Sequence, residues 1–302
     1  MQTVLPPTKS TTVRSNDIPR PVQLGFQWLE RLSPALTLTA LNRVFASPKR
    51  HRWPEEELRW LAQAERRTLY TRDMPVPAWD GKALAVYRWR PEGRHTGRVL
   101  LMHGWAGRAS QLYSFLPPLL AAGKEVIALD APGHGHSHGS WSSLPQFSRA
   151  LQQTVRHLGP IDGAISHSFG GPSLLHAMTE GLLVPKAVLI APPVRILDFT
   201  HNLVRMLGLS EASRQRLHRH WEQKLGLRFA DLDAVKMAPT LRSQALIIHD
   251  LQDRDVPHSR GAELAAAWPQ ARLQSTNGLG HRRILKDEQV VREATTWLNG
   301  DS

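Results

Sequence analysis

Residues 164–171 read Ala164-Ile165-Ser166-His167-Ser168-Phe169-Gly170-Gly171. Small and branched apolar residues lead into a serine, and the glycine pair runs on into Pro172-Ser173-Leu174-Leu175, which reads as a helix start. The run predicts a nucleophile elbow: a strand that turns sharply into a helix and lifts one side chain, that of Ser168, out of the turn. Small neighbours are a steric requirement there. The turning residue sits in strained backbone, and bulk two positions away would collide with it. The pattern Gly-x-Ser-x-Gly is matched in part, because Ser166 stands where the first glycine is usual. A pattern this short also fits an ordinary serine- and glycine-rich turn, so its meaning rests on what surrounds it.

Outward from the elbow, apolar runs alternate with helical patterns. Residues 98–102 form a continuous apolar strand ending at His103-Gly104, and 125–129 a second one ending at Asp130-Ala131-Pro132-Gly133. A third, 161–165, enters the elbow. A fourth (187–190), a fifth (245–249) and a short sixth (271–275) follow. Helical patterns cover 111–122, 144–158, 173–179, 260–267 and 287–298. This alternation predicts an α/β fold with a mostly parallel central sheet covered by helices on both faces. Residues 68–72 and 83–90 alternate around the turn Trp79-Asp80-Gly81-Lys82, which suits an antiparallel edge. Between the fourth and fifth strands lies an insertion, 193–241, with helical spacing at Ile196, Phe199, Leu203, Met206 and Leu207, then Leu217, Trp221 and Leu225.

The N-terminal part is organised differently. Residues 1–20 are polar and rich in Pro, Thr and Ser, the composition of a disordered tail rather than a signal peptide. Residues 21–46 predict two short amphipathic helices broken at Pro34. They suit a membrane-surface anchor, a lid, or a helical extension packed on the main domain. Glu30 and Arg31 interrupt the apolar character and favour the last. Pro54-Glu55-Glu56-Glu57 then opens a helix expected to run to about Arg67, with carboxylates at the positive end of its dipole. The expected plan is a tail (1–20), a helical extension (21–67), a core in two pieces (68–192 and 242–302) and the helical insertion (193–241).

Composition narrows the chemistry. The 302 residues contain no cysteine, which excludes disulfides, thiolate metal sites and a cysteine nucleophile. The balance is basic, 38 Lys+Arg against 26 Asp+Glu, but the arginines are scattered and no nucleic-acid motif is visible. A basic solvated surface is expected, with no nucleic-acid partner. No apolar run approaches the roughly 20 residues that span a bilayer, so a cytoplasmic protein is the expectation.

In open α/β sheets ligands bind beyond the carboxyl ends of the strands, and the chemically promising residues fall there. His103-Gly104-Trp105-Ala106-Gly107 follows the first core strand. Its glycines free backbone N–H groups to face a pocket, and those of Trp105 and Phe169 together suit an oxyanion hole. A plain glycine-rich turn or a phosphate site are the alternatives, the latter without either phosphate-loop signature. Ser168 needs a base, and the base an orienting acid. Asp253 lies just past the fifth strand and His281 after the sixth, giving the chain order Ser–Asp–His. Asp250 and Asp255 are rival acids. His167 adjoins Ser168 but points away from it on the elbow, so a structural or pocket-lining role is expected. His134, His136 and His258 are read as loop packing, because His134-Gly135-His136 has no third ligand at recognisable spacing.

With these residues in place the chain resembles the α/β-hydrolase fold enzymes. The resemblance is carried by His103-Gly104-Trp105, by Asp130-Ala131-Pro132-Gly133-His134-Gly135-His136-Ser137, by the elbow at Ser168, and by Asp253-x-x-Val256-Pro257 with Gly280-His281. It spans about residues 68–298; Ser166 and the N-terminal helical segment depart from the usual pattern. The resemblance implies Ser168 as nucleophile, His281 as base and Asp253 as acid, and a helical cap at 193–241. It implies hydrolysis of a carboxylic ester or thioester through an acyl-enzyme, with no cofactor and no metal. Acyl transfer, perhydrolysis and interfacial lipolysis use the same machinery, and a non-catalytic binding protein is the alternative from another class. The expected partner is a small-molecule ester, with a membrane surface as the less favoured alternative. His103, Gly104, His167, Phe199 and Trp221 are the expected pocket residues.

Overall fold

The computed structural model describes residues 18–300. The tail expected over 1–20 therefore lies, up to residue 17, outside the described residues. Eight strands form one sheet: β1 (Glu65–Tyr70), β2 (Ala83–Trp89), β3 (Gly97–Met102), β4 (Lys124–Leu129), β5 (Gly163–His167), β6 (Lys186–Ile190), β7 (Gln244–Asp250) and β8 (Ala271–Thr276). Their spatial order is β1-β2-β4-β3-β5-β6-β7-β8. β1 and β2 are antiparallel to their neighbours and the rest are parallel.

The inner parallel strands β3 to β7 are largely apolar because both faces are buried, with residues alternating between two cores, while the edge strand β8 is polar and half-exposed. On one side Leu100 and Met102 of β3 pack with Phe147 and Leu151 of α5 (Leu144–Leu158) and Leu174 of α6 (Gly170–Thr179). On the other, Val99 and Leu101 pack with Phe115 and Leu116 and with Val290 and Trp297 of the closing helix (Glu288–Asn299). Register then levels the strand ends. Met102 pairs with Ser166, and His167 with Ile190, so the segments that leave β3, β5 and β6 emerge on one rim.

A third core lies above that rim and contains no strand residue. Leu41 and Phe45 of α2 (Pro34–Ala46) meet Leu203 and Leu207 of α7 (Ile196–Leu207), Trp221 of α8 (Glu211–Leu225), and Phe229. The N-terminal helices, α1 (Arg20–Leu32) and α2, thus pack on the helices inserted after β6. Glu30 accepts hydrogen bonds from the Ser210 amide at 3.0 Å and from the hydroxyls of Ser210 and Ser213. Trp221 Nε1 donates to Asn42 Oδ1 at 3.0 Å.

Two boundaries differ from expectation. The helix opened by Pro54 spans Glu55–Ala62 as α3 and stops before Arg67. Residues 65–67 instead form the first half of β1, paired with 86–88, and Glu65 binds Arg67 and Arg90. Pairing to β2 overrides the local helical propensity of that charged run. The helix expected over 111–122 shrinks to α4 (Leu116–Ala121), and the preceding turn is 3₁₀.

Candidate active site

Ser168 follows β5 directly and has φ +49, a left-handed conformation that costs a non-glycine residue energy and marks the elbow. Its amide donates to Ile190 O of β6 at 2.9 Å, and its carbonyl accepts from Gly171 N at 2.8 Å. The close fit explains the flanking small residues. A Cβ on Gly170 would meet His103 O at 2.7 Å, and one on Gly104 would meet Ser168 Cβ at 2.8 Å. Ser166, in the position usual for glycine, is buried and turns its Oγ to Val188 O at 3.3 Å.

Three side chains from separate loops converge. His281 Nε2 lies 2.9 Å from Ser168 Oγ, and His281 Nδ1 lies 2.7 Å from Asp253 Oδ2. The carboxylate partner fixes the tautomer: Nδ1–H donates to Asp253, leaving Nε2 free to accept from the serine hydroxyl. Asp253 Oδ1 accepts from the amides of Asp255 and Val256 at 2.8 and 2.9 Å. Burial acts to raise the Asp253 pKa, but hydrogen bonds from His249, His281 and the Val256 amide hold it well below the usual carboxylate range. His281 sits on one short helical turn, Gly280–Arg283, rather than in an open loop. Asp250 serves that segment: its Oδ2 accepts from Thr276 Oγ1 at 2.8 Å and from the Leu279 amide at 3.0 Å.

A cavity of about 370 Å³ opens beside Ser168 and His281. Of the residues expected to line a pocket, His167, Phe199 and Trp221 do so, along with Trp105 and Phe169. His103 and Gly104 do not; they lie beneath it. His103 is fully buried, donating from Nδ1 to Gly104 O at 2.7 Å and accepting at Nε2 from Ala131 N at 3.0 Å. Burial pushes its pKa down to about 4. His167 donates from Nε2 to the His281 carbonyl at 2.9 Å, and burial pushes its pKa down to about 3. Its neutral ring thus braces the segment that carries His281. His134 pins the oxyanion-loop candidate by accepting from Ala106 N at 3.1 Å, while His136 stacks on Trp53.

Residues 99–294 match the sequence profile of the alpha/beta hydrolase family, well over half of the chain. The chain belongs to that family. Among solved structures, an esterase of Pyrococcus furiosus gives a TM-score of 0.60 at 17% identity, over 84% of this chain and 97% of the esterase. A monoacylglycerol lipase of Paleococcus ferrophilus gives 0.57 at 21% identity, over 72% and 99%. A bromoperoxidase from Bacillus anthracis gives 0.54 at 19%, over 72% and 96%. At such identities the likeness is one of fold alone. A curated relative, the dihydrolipoyllysine-residue acetyltransferase component of the acetoin cleaving system of Pseudomonas putida, is 32% identical over 131 residues. That stretch is 42% of this chain and 32% of the relative, so the chain spans about a third of that protein.

This alpha/beta hydrolase also uses cavity residues that sequence reasoning did not assign to the site. Phe45, Gln111, Arg195 and Phe229 all line the cavity. Phe45 falls in an apolar helical stripe, which marks it for burial without saying against what. Arg195 looks like one more scattered arginine, yet it is held by Asp233 at 3.0 Å and by Glu263 at 2.6 Å. Among the described residues no helix is long and apolar enough to cross a membrane.

Proposed function

We propose that the protein is a serine hydrolase that cleaves a carboxylic ester or thioester through an acyl-enzyme on Ser168. The observation that supports it most is the continuous hydrogen-bonded line from Ser168 Oγ to His281 Nε2 and from His281 Nδ1 to Asp253 Oδ2, at 2.9 and 2.7 Å. Serine is a weak nucleophile on its own. As Oγ attacks the carbonyl carbon, His281 Nε2 takes the hydroxyl proton, and the ionised Asp253 carboxylate stabilises the imidazolium that forms. The proton then passes to the leaving alcohol or thiol, the acyl–oxygen or acyl–sulfur bond breaks, and the acyl group stays on Ser168. A water deprotonated by the same Nε2 attacks the acyl-enzyme and releases the acid.

The negative oxygen of each tetrahedral intermediate needs donors. The amides of Trp105 and Phe169 donate to no hydrogen bond among the described residues. Phe169 lies at the start of α6, the positive end of that helix dipole. We assign these two amides as the oxyanion hole, the helices at 193–241 as the cap of the pocket, and 68–192 with 242–302 as the catalytic core.

Incubation with a fluorophosphonate probe tests the reading. Wild type is expected to label at Ser168 and to turn over p-nitrophenyl butyrate. Ser168→Ala is expected to lose labelling and at least roughly 10⁴-fold in kcat. A folded wild type that neither labels nor hydrolyses any ester would sink the proposal. The acetyltransferase named for the curated relative favours one variant of it, in which the acyl group passes to a thiol rather than to water. Product analysis with added dihydrolipoamide separates the two.

A further inference from the structure

We propose that the aromatic chamber beside Ser168 is a subsite for an uncharged apolar group of modest length, and that Phe45 limits that length. The inference rests on the ester-hydrolase reading above and deepens it. Phe45 lines the same cavity as Ser168 and His281. Its ring centroid lies 5.8 Å from Phe199, 5.7 Å from Trp221 and 6.0 Å from Phe229, and the residue is only 6% exposed. One wall of the chamber therefore comes from α2, which lies outside the stretch 99–294 that matches the family. One bond fixes that wall directly, Trp221 Nε1 to Asn42 Oδ1, and Ser210 N to Glu30 ties the preceding helix α1 to the same inserted helices. A residue so placed, and so held, sets a boundary rather than yielding to a ligand.

The chemistry of the lining selects the ligand. Its walls are mostly aromatic and aliphatic, with the neutral polar side chains of Gln111, Ser142 and Ser143 among them, and its buried charge is already matched. Arg195 binds Asp233 and Glu263, whereas Arg282, 3.8 Å from Asp255, keeps its side chain largely in solvent. A carboxylate or phosphate carried into the chamber would lose its water, and the partly buried cation there, Arg195, is already held by two carboxylates, so the transfer is costly. The volume, about 370 Å³, is near the low end of the ~300–1,000 Å³ range of small-molecule pockets. A short to medium alkyl chain or a single aryl group is the matching class, rather than a long acyl chain.

The test is a panel of p-nitrophenyl acetate, butyrate, octanoate, laurate and palmitate, run on wild type, Phe45→Ala and Phe45→Trp. Wild type is expected to peak at butyrate or octanoate. In Phe45→Ala the laurate-to-acetate ratio of kcat/KM is expected to rise at least about tenfold, and in Phe45→Trp to fall, since a few methylenes in an apolar pocket discriminate by such factors. Should Phe45→Ala not fold, Phe45→Leu and Phe45→Trp carry the same comparison. A readout free of chemistry accompanies it: Ser168→Ala titrated with methyl octanoate and with the anionic monomethyl suberate, followed by tryptophan emission. The neutral ester is expected to bind at least about tenfold more tightly. An unchanged chain-length profile in every folded Phe45 variant, or equal binding of the two ligands, overturns this inference in an enzyme that still labels with fluorophosphonate. Absence of labelling instead overturns the hydrolase reading, and the titration then decides the chamber's preference by itself.

Discussion

Asp253 Oδ2 meets His281 Nδ1 at 2.7 Å, while Asp250, three residues earlier, gives its own Oδ2 to Thr276 and the Leu279 amide. Two carboxylates, one ending β7 and one in the turn that follows it, thus divide the work. One faces the histidine ring and the other supports the segment that carries it.

The division predicts opposite signatures for two like substitutions. Asp253→Asn keeps the shape but places an amide beside Nδ1, favouring the wrong tautomer, and is expected to lower kcat on the order of 10⁴-fold with little change in melting temperature. Asp250→Asn weakens two loop hydrogen bonds and leaves the Asp253–His281 contact in place. It is expected to cost about 1–3 kcal/mol of stability and far less activity. Kinetics and urea unfolding on both variants check this, and a larger kinetic loss from Asp250→Asn would reverse the assignment.

Gly104→Ala probes the elbow from below. The added Cβ would lie 2.8 Å from Ser168 Cβ and 3.1 Å from the His167 carbonyl, so the elbow or the turn at 103–107 must shift. A misplacement near 1 Å can cost about a hundredfold in rate. The expected outcome is a kcat loss of that order with KM changed much less, because Gly104 does not line the cavity. A variant with wild-type kinetics would show that this turn does not constrain the serine.

Much of this was legible in the chain. Ser168 and Asp253 sit in short local patterns at the ends of apolar strands and His281 in one after the polar edge strand β8, and parallel register carries those ends to one rim. The chamber was not legible, for physical reasons. Phe45 is 123 residues from Ser168 in sequence, and its apolar spacing encodes burial but not a partner. His103 misled because its neighbour Trp105 does face the cavity, whereas a polar residue at a strand end can equally turn down into the core if its nitrogens find backbone partners there. The charged run 65–67 carried a helical pattern from α3, and only the β2 ladder, which is nonlocal, made it a strand.

Stability is expected to fall on acidification from the histidines alone. Burial pushes His103 to about 4, and His134 and His167 each to about 3, from an ordinary 6.5. A histidine whose folded pKa is depressed binds its proton more readily when unfolded, so its contribution is fully present above pH 6.5 and erodes as pH falls towards the folded value. At pH 4.5 each such residue costs roughly 2–3 kcal/mol. Urea midpoints are expected to drop steeply between about pH 6.5 and 4. His134→Asn is expected to be less stable at pH 7.5 but to show a shallower slope. An equal slope in wild type and variant would count against a buried neutral His134.

The last prediction concerns the ion pair behind the turn at 103–107. Glu57 of α3 and Arg108 form a bidentate pair, Nε to Oε2 at 2.6 Å and Nη2 to Oε1 at 2.7 Å, and Ser110 Oγ donates to the same carboxylate at 2.7 Å. Both residues are buried. Attraction in such a site roughly offsets the loss of water around each charge, so the pair adds little net stability, while one partner left alone is expensive. Glu57→Ala strands the guanidinium, with only the Trp53 face 5.1 Å away to replace the carboxylate. It is expected to cost about 3–5 kcal/mol and to lower activity by loosening Trp105, three residues from Arg108. Glu57→Leu combined with Arg108→Met removes both charges and is expected to recover most of that loss. A double-mutant cycle in urea measures the coupling; additive costs would mean that the two side chains do not depend on each other.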